Sequence, residues 1–265
     1  MPLSWFLPVA SFLTGLFFGS FFNVCIYRIP RRKSIIHPPS HCPGCRTPIR
    51  FYDNIPVLSY LLLRARCRAC GQPISVRYPV VELLTGILFA VAAVRFGLSW
   101  EFLRAVLLIG FLIVLAFIDL DRRVIPDTVS LPGIMVGVLS SLLVPGEFLP
   151  QLRGLAPSLV GGAVGAGLVW AVGWLWLKVT RREGMGSGDI RLAALIGVFL
   201  GWQHVLFVLL LLGPVLGIVL GGGLALLSGR RVFGRHIPFG PFLAAGALVA
   251  LFLGPTILGW WLGRR

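Results

Sequence analysis

Long apolar runs alternate with short polar breaks along the chain, and most of the runs have the length of a membrane crossing. A helix needs about 20 consecutive apolar residues to cross a bilayer core. The first run extends from about Trp5 to Tyr27. Later runs predict helices near 79–97, 101–120, 125–144, 154–178, 189–200, 205–227 and 237–261, eight in all. The run 189–200 is short for a crossing. It either continues through Trp202 or forms a short helix buried among the others. Glycines recur at spacings that suit close helix packing: Gly15 and Gly19, then Gly161, Gly162, Gly165 and Gly167, then Gly213, Gly217 and Gly221. Asn23, near the end of the first run, is read as an interhelical hydrogen-bonding group. One polar stretch, 28–78, is long enough to form a small soluble domain. The chain is thus divided into a first helix (1–27), that loop (28–78) and a helical remainder (79–265).

Composition supports this pattern. Of 265 residues, 57% are hydrophobic and 12% charged, and the mean hydropathy is +0.91. The fold class expected is an all-α polytopic membrane protein with about eight transmembrane helices. The net charge of +15 would suit nucleic acid, but the basic residues cluster between apolar runs. They report topology and anionic lipid headgroups instead, so lipid is an expected partner and nucleic acid is not. The loop 28–78 holds ten of the 24 Lys and Arg residues, which places it in the cytoplasm and the N-terminus outside. Alternation then puts Arg122 and Arg123, Lys178, Arg181 and Arg182, and Arg230, Arg231 and Arg235 inside. Arg153 falls outside, and only the terminal Arg264 and Arg265 depart from the rule. The first run lacks a basic leader and a cleavage site, so it is read as a retained helix.

Within the loop stand Cys42-Pro43-Gly44-Cys45 and Cys67-Arg68-Ala69-Cys70. Two CxxC pairs about 21 residues apart match a four-thiolate zinc ribbon, each pair a knuckle that aims both sulfurs at one tetrahedral ion. Gly44 and Gly71 are expected to supply the turns. A cytoplasmic location disfavours disulfides; redox-active or unliganded thiols are the alternative. Four thiolates leave no open position, so the zinc would be structural. His37 and His41 lie nearby as alternative ligands, and Cys25 is read as a small packed residue.

Only nine acidic residues exist. Glu101 and Glu147 fall in outward loops, Glu183 precedes the glycine-rich stretch Gly184-Met185-Gly186-Ser187-Gly188-Asp189, and Asp53 is a candidate turn cap. Asp119 ends an apolar run, and Asp189 opens another at the same membrane depth. If their helices are neighbours, the two can share a proton, the ionised one activating water and the protonated one polarising a scissile carbonyl. The competing reading pairs Asp119 and Asp189 with Arg123 and Arg191 as ion pairs. Asp121 and Asp127 are rival candidates for the first catalytic position, Asp127 looking more like a helix-start residue.

These residues resemble a known family, the type IV prepilin leader peptidases, membrane aspartic proteases of the GxGD type. The core is Gly186-Ser187-Gly188-Asp189 with Arg191-Leu192, where the family usually has Lys at the Arg191 position. Ile118-Asp119 through Ile125-Pro126-Asp127 resembles the first aspartate motif. Gly19-Ser20-Phe21-Phe22-Asn23-Val24 and Tyr27-Arg28-Ile29-Pro30 resemble the amino-terminal signature. Asn54-Ile55-Pro56 and Arg77-Tyr78-Pro79 with Glu82 frame the cysteine loop, and Ile237-Pro238-Phe239-Gly240-Pro241 resembles the carboxy-terminal motif.

The resemblance implies an eight-helix inner-membrane endopeptidase with Asp119 and Asp189 as its catalytic pair. Its partners would be prepilin or pseudopilin precursors, cut at a short basic leader on the cytoplasmic side. It also implies methylation of the new N-terminus from S-adenosylmethionine, by residues in and around the cysteine loop, with Glu82 a candidate substrate or cofactor contact. The chain departs from the family at Leu63-Arg64-Ala65-Arg66 and in the short stretch 31–40. Two other readings stand beside it: a non-catalytic assembly or transport subunit with a structural zinc loop, and a methyltransferase alone.

Overall fold

A computed structural model of the protein describes residues 3–142, 154–181, 186–216 and 239–261. Glu147, Arg153, Arg182, Glu183, Gly184, Met185, Gly217, Gly221, Arg230, Arg231, Arg235, Ile237, Pro238, Arg264 and Arg265 lie outside the described residues, as does the end of the helix expected at 205–227. Among the described residues every regular element is helical, apart from two isolated bridges. In order they are α1 (Leu3–Arg28), a short α2 (Leu58–Leu62), α3 (Arg77–Phe96), α4 (Trp100–Arg122), α5 (Asp127–Ser140), α6 (Leu155–Thr180), α7 (Ser187–Leu200), α8 (Trp202–Phe207), α9 (Gly213–Leu216) and α10 (Gly240–Trp261). A π-helical turn, Val208–Leu212, joins α8 to α9.

Four helices are long and apolar enough to cross a membrane, within Trp5–Arg31, Arg77–Phe96, Trp100–Arg122 and Leu155–Thr180. Shorter apolar helices cover Asp127–Ser140, Trp202–Val215 and Gly240–Gly254. The outward surfaces are apolar too: Trp5, Phe6 and Phe17 on α1 and Trp170, Trp174 and Trp176 on α6 are exposed. Such faces suit lipid.

The chain divides into two compact units, Met1–Phe102 and Leu103–Arg265. In the first, α1 lies tightly on α3. A Cβ on Gly15 would stand 2.8 Å from Gly86 Cα, and one on Gly19 2.6 Å from Glu82 Cα, so the GxxxG pair is the seam. Asn23 is buried in this seam, and its Nδ2 donates across it to Tyr78 O at 3.1 Å.

In the second unit, α7 is the buried centre. Leu192, Leu195, Ile196, Val198, Phe199 and Leu200 are all at most 2% exposed. α6 presses on it backbone to backbone, Gly161 against Gly197 and Gly165 against Ala193, where side chains would clash. α5 receives it at Gly133 and Gly137, whose added Cβ atoms would stand 2.6 Å from Leu195 Cδ1 and Val198 Cγ2. Gly167 has nothing near it, so the packing role expected of this glycine series does not extend to that position.

Two helix boundaries differ from the pattern reading for local reasons. α5 begins at Asp127 and not at 125, because Pro126 is extended (ψ 137°) and lacks an N–H to continue a helix backward. α7 stops at Leu200, where Gly201 takes φ +82° and turns the chain into α8. The short apolar run is therefore a buried helix, and it does not continue through Trp202.

Candidate active site and cysteine cluster

Asp119 sits in the last turn of α4 and Asp189 in the first turn of α7. Both line one cavity of about 240 Å³, together with Arg123, Val124, Ile125, Gly186, Ser187, Gly188 and Arg191. Asp119 is 6% exposed, and its Oδ2 accepts the Gly240 N–H at 3.1 Å. That amide opens α10, so one of the helix's unpaired first-turn donors and its positive end point at the carboxylate. Asp189 Oδ2 accepts the Gly186 N–H at 3.3 Å, bracing the turn that starts α7.

The glycines of this turn are not equivalent. A Cβ on Gly188 would stand 2.9 Å from Ile125 Cβ, whereas one on Gly186 would meet nothing closer than 3.9 Å. Gly188 thus lets the Asp189 turn press against the segment that follows Asp119. Arg191 departs from the ion-pair reading, pairing with Asp127 at 2.7 Å and reaching Ile125 O at 3.5 Å, whereas Arg123 stays beside Asp119 in the cavity. Arg123 closes α4 in a left-handed turn, its N–H on Asp119 O at 2.8 Å. Asp127 opens α5 as a helix-start residue, and Asp121 is exposed. Two carboxylates at one cavity, one fed by a helix N-terminus, can share a proton and activate a water.

In the other unit, the Sγ atoms of Cys42, Cys45, Cys67 and Cys70 lie within 4.8 Å of one another. Cys42 Sγ and Cys70 Sγ are 3.8 Å apart. Zinc–sulfur bonds of about 2.3 Å in a tetrahedron require sulfurs about 3.8 Å apart, so the four thiols fit that ion. Cys25 is buried elsewhere, and His41 Nδ1 lies 3.1 Å from Pro39 O. The two knuckles repeat one another. Cys42 N–H bonds Thr47 O and Ile49 N–H bonds Ser40 O; Cys67 N–H bonds Gln72 O and Ile74 N–H bonds Ala65 O. The repeat is visible in sequence as Cys42-x-x-Cys45-x-x-Pro48-Ile49 and Cys67-x-x-Cys70-x-x-Pro73-Ile74, a signal that the sequence reading missed. The left-handed residue of each turn follows its second cysteine: Arg46 (φ +58°) and Gly71 (φ +71°). Gly44 does not have that role; it makes room for the Gln72 side chain.

Hydrogen bonding from Thr47 brings the Cys45 thiol down to about 6, and backbone amides at Cys70 and Ala69 lower Cys67. The side chain of Asp53, expected as a turn cap, instead holds Arg68 of the second knuckle by a forked contact, 2.7 Å at its shortest. That hydrogen bonding holds Asp53 below the usual carboxylate range. The tie is therefore present at neutral pH and is lost as acid brings the pH down through the lowered value. Glu82 is buried, and its Oε2 accepts the Val57 N–H at 2.7 Å, fixing a residue at φ +61°.

Fold and site together define a helical membrane protein with paired carboxylates in one unit and a four-thiol cluster in the other. Two family models match, the Bacterial Peptidase A24 N-terminal domain over residues 13–96 and the Type IV leader peptidase family over residues 106–222. The chain belongs to the type IV leader peptidase family. It is 38% identical to a prepilin leader peptidase/N-methyltransferase of Aeromonas salmonicida, over 98% of this chain and 95% of that one. A protein of the same description from Neisseria gonorrhoeae is 36% identical over 96% and 94%. One from Myxococcus xanthus is 44% identical over 80% of this chain and 62% of its own. No solved structure matches the chain.

Proposed function

We infer that this protein is a prepilin leader peptidase and N-methyltransferase of the bacterial inner membrane, cutting the leader of pilin-like precursors with Asp119 and Asp189. The observation that carries the reading is the shared cavity: two carboxylates from separate helices, with the GxGD glycines beside them, in a chain of this family. The ionised carboxylate takes a proton from water as the oxygen attacks the scissile carbonyl. The protonated partner gives its proton to the carbonyl oxygen. As the tetrahedral species collapses, the first carboxyl passes the proton it took from water to the departing amine and the second takes one back from the hydroxyl oxygen, which restores the shared-proton state. The family's eight crossings are the arrangement proposed here, with the loop and the cavity at the cytoplasmic face.

Peptidase chemistry is assigned to 79–265, anchoring to 1–27, and zinc binding to 28–78 through Cys42, Cys45, Cys67 and Cys70. Bound zinc would brace the two knuckles and take no part in the chemistry. Methyl transfer from S-adenosylmethionine is assigned to the region around the loop. Its sulfonium and the substrate amine seek oxygen partners. Glu82, whose backbone packs on Gly19, and the buried Asn23, whose Oδ1 has no partner, carry such oxygens.

The test is cleavage of a model prepilin in liposomes by wild type, Asp119→Asn and Asp189→Asn, with substrate binding measured alongside. Each substitution is expected to abolish cleavage and leave binding intact. Cleavage surviving in either would move the first catalytic position to Asp121 or Asp127, and a wild type that never cuts would favour the transport or methyltransferase readings.

A further inference from the structure

α7 ends inside the protein. Its 14 residues make about 21 Å of helix, short of a hydrocarbon core of about 30 Å. A helix that stops at such a depth leaves its last carbonyls with no water to bond, and donors must come from neighbouring chain. Here they come from a cation. Arg104, in the early turns of α4, is 5% exposed. Its Nε and Nη2 donate to Phe199 O at 3.3 and 3.2 Å, and Nη2 also donates to Val198 O at 2.5 Å. Nη1 donates to Ser140 Oγ at the end of α5, at 3.2 Å. The guanidinium carbon stands 5.3 Å from the centre of the Phe199 ring. Ser158 of α6 supplies a second donor to Val198 O, at 2.7 Å.

An arginine buried in an apolar helix is costly and tends to mark function, yet Arg104 is not among the residues lining the aspartate cavity. What connects it to the site is the pair of helices it joins. α4 carries Asp119 at its far end and α7 carries Asp189 at its far end, so the helices run antiparallel, fastened by the guanidinium at one end and meeting at the cavity at the other. Apart from the Ser158 hydrogen bond, the α6–α7 seam is van der Waals packing, glycine and alanine backbone with Val198 seated over Gly162, and such packing alone is a weak guard against sliding. A planar fork on two successive carbonyls does resist it. A shift of α7 by one residue would move those acceptors about 1.5 Å along the axis and about 100° around it.

We propose that Arg104 is a positioning residue for leader cleavage. By clamping the carbonyl end of α7 to α4 and α5, it sets the axial register of α7, and thereby the depth at which Asp189 faces Asp119. This rests on the reading of Asp119 and Asp189 as the catalytic pair.

The experiment compares full-length wild type, Arg104→Met, Arg104→Lys and Ser158→Ala in liposomes, measuring kcat, KM and pH–rate profile per folded molecule, with unfolding temperature in parallel. Misplacement by about 1 Å costs on the order of a hundredfold. Arg104→Met, which keeps the apolar volume, is expected to lose about 10- to 100-fold in kcat with KM within about twofold. Its pH–rate profile should change shape, because proton sharing depends on the separation of the carboxylates. Arg104→Lys should fall between, about fivefold below wild type, since an ammonium is a point charge and not a fork. Ser158→Ala leaves the tie to α4 in place and should lose less than about threefold. A folded Arg104→Met with wild-type kcat and pH profile overturns the proposal, as does a loss that appears only as fewer folded molecules. Should Arg104→Met fail to assemble, Arg104→Lys decides on the same criteria. Cleavage by Asp119→Asn or Asp189→Asn would bring down the dyad itself; inactive aspartate variants beside a fully active Arg104→Met bring down the register clamp alone.

Discussion

Asp119 is steadied by a backbone amide that belongs to a glycine, and that glycine has no room for a side chain. A Cβ on Gly240 would stand 2.7 Å from Asp119 Oδ2, so Gly240→Ala must turn the carboxylate or push α10 away from it. Gly188→Ala meets Ile125 Cβ at 2.9 Å and disturbs the turn that carries Asp189. Gly186→Ala meets only ordinary contacts. Cleavage assays on folded protein should therefore show losses of about 10- to 100-fold in kcat for Gly240→Ala and Gly188→Ala, and a change of less than about threefold for Gly186→Ala. Equal losses at all three positions would count against contact geometry as the cause. The two aspartates stood out in sequence because carboxylates are scarce in so apolar a chain and these two end helices. The Gly240 tie did not, because a backbone donor far along the chain leaves no mark in residue type. Arg104 went unnoticed for a different reason: a lone arginine near the end of an apolar run reads as an interfacial anchor, and only the premature end of α7 gives it carbonyls to bond.

Among the elements, the cysteine loop was the most legible and also the one whose turns were misjudged. Spacing alone pointed to the four thiols. The left-handed positions, however, fall one residue after Cys45 and Cys70, at Arg46 and Gly71, so the glycine that looked like a turn residue in the first knuckle is a packing residue. This asymmetry predicts opposite outcomes at equivalent positions. Gly71→Ala forces a side chain into φ +71° and should weaken the loop by about 1 kcal/mol, whereas Arg46→Gly relieves the same strain and should be neutral or slightly stabilising. Zinc competition titrations on the full chain would read both, with a weaker ion only for Gly71→Ala. Any of Cys42→Ser, Cys45→Ser, Cys67→Ser or Cys70→Ser should lower bound zinc from about one equivalent to near zero, since a three-thiolate knuckle pair loses the closed tetrahedron. The boundary between α7 and α8 was open in sequence because apolar residues continue on both sides of it. Gly201 alone decides it, through a backbone angle that hydropathy does not encode.

At the scale of the whole molecule, the charge balance constrains how substrate arrives. The chain carries +15, and the aspartate cavity is lined by Arg123 and Arg191 as well as by Asp119 and Asp189. Arg191 is paired with Asp127, and Arg123 offsets the single negative charge of a proton-sharing dyad, so no negative surplus is left to draw in a basic leader. Long-range attraction between like-charged partners is excluded, and charges farther apart than about 8 Å are screened at physiological salt in any case. Affinity must then come from the apolar part of the precursor. The site lies beside the start of α5, whose outer face exposes Leu131, Met135 and Leu139, so a substrate helix already in the bilayer can reach it sideways, concentrated in two dimensions and oriented with its leader toward the cavity. A precursor whose leader lysines and arginines are made neutral should be cut with kcat/KM within about threefold of the natural one, because little charge attraction is removed. A precursor with the basic leader intact but its apolar helix replaced by a soluble one should lose about a hundredfold or more, chiefly in KM, because both enrichment in the bilayer and orientation are lost. Liposome assays with the two substrates side by side separate the cases. If the neutral leader is the poor substrate and the soluble helix the good one, recognition is electrostatic after all, and the negative surface responsible has to lie away from this cavity.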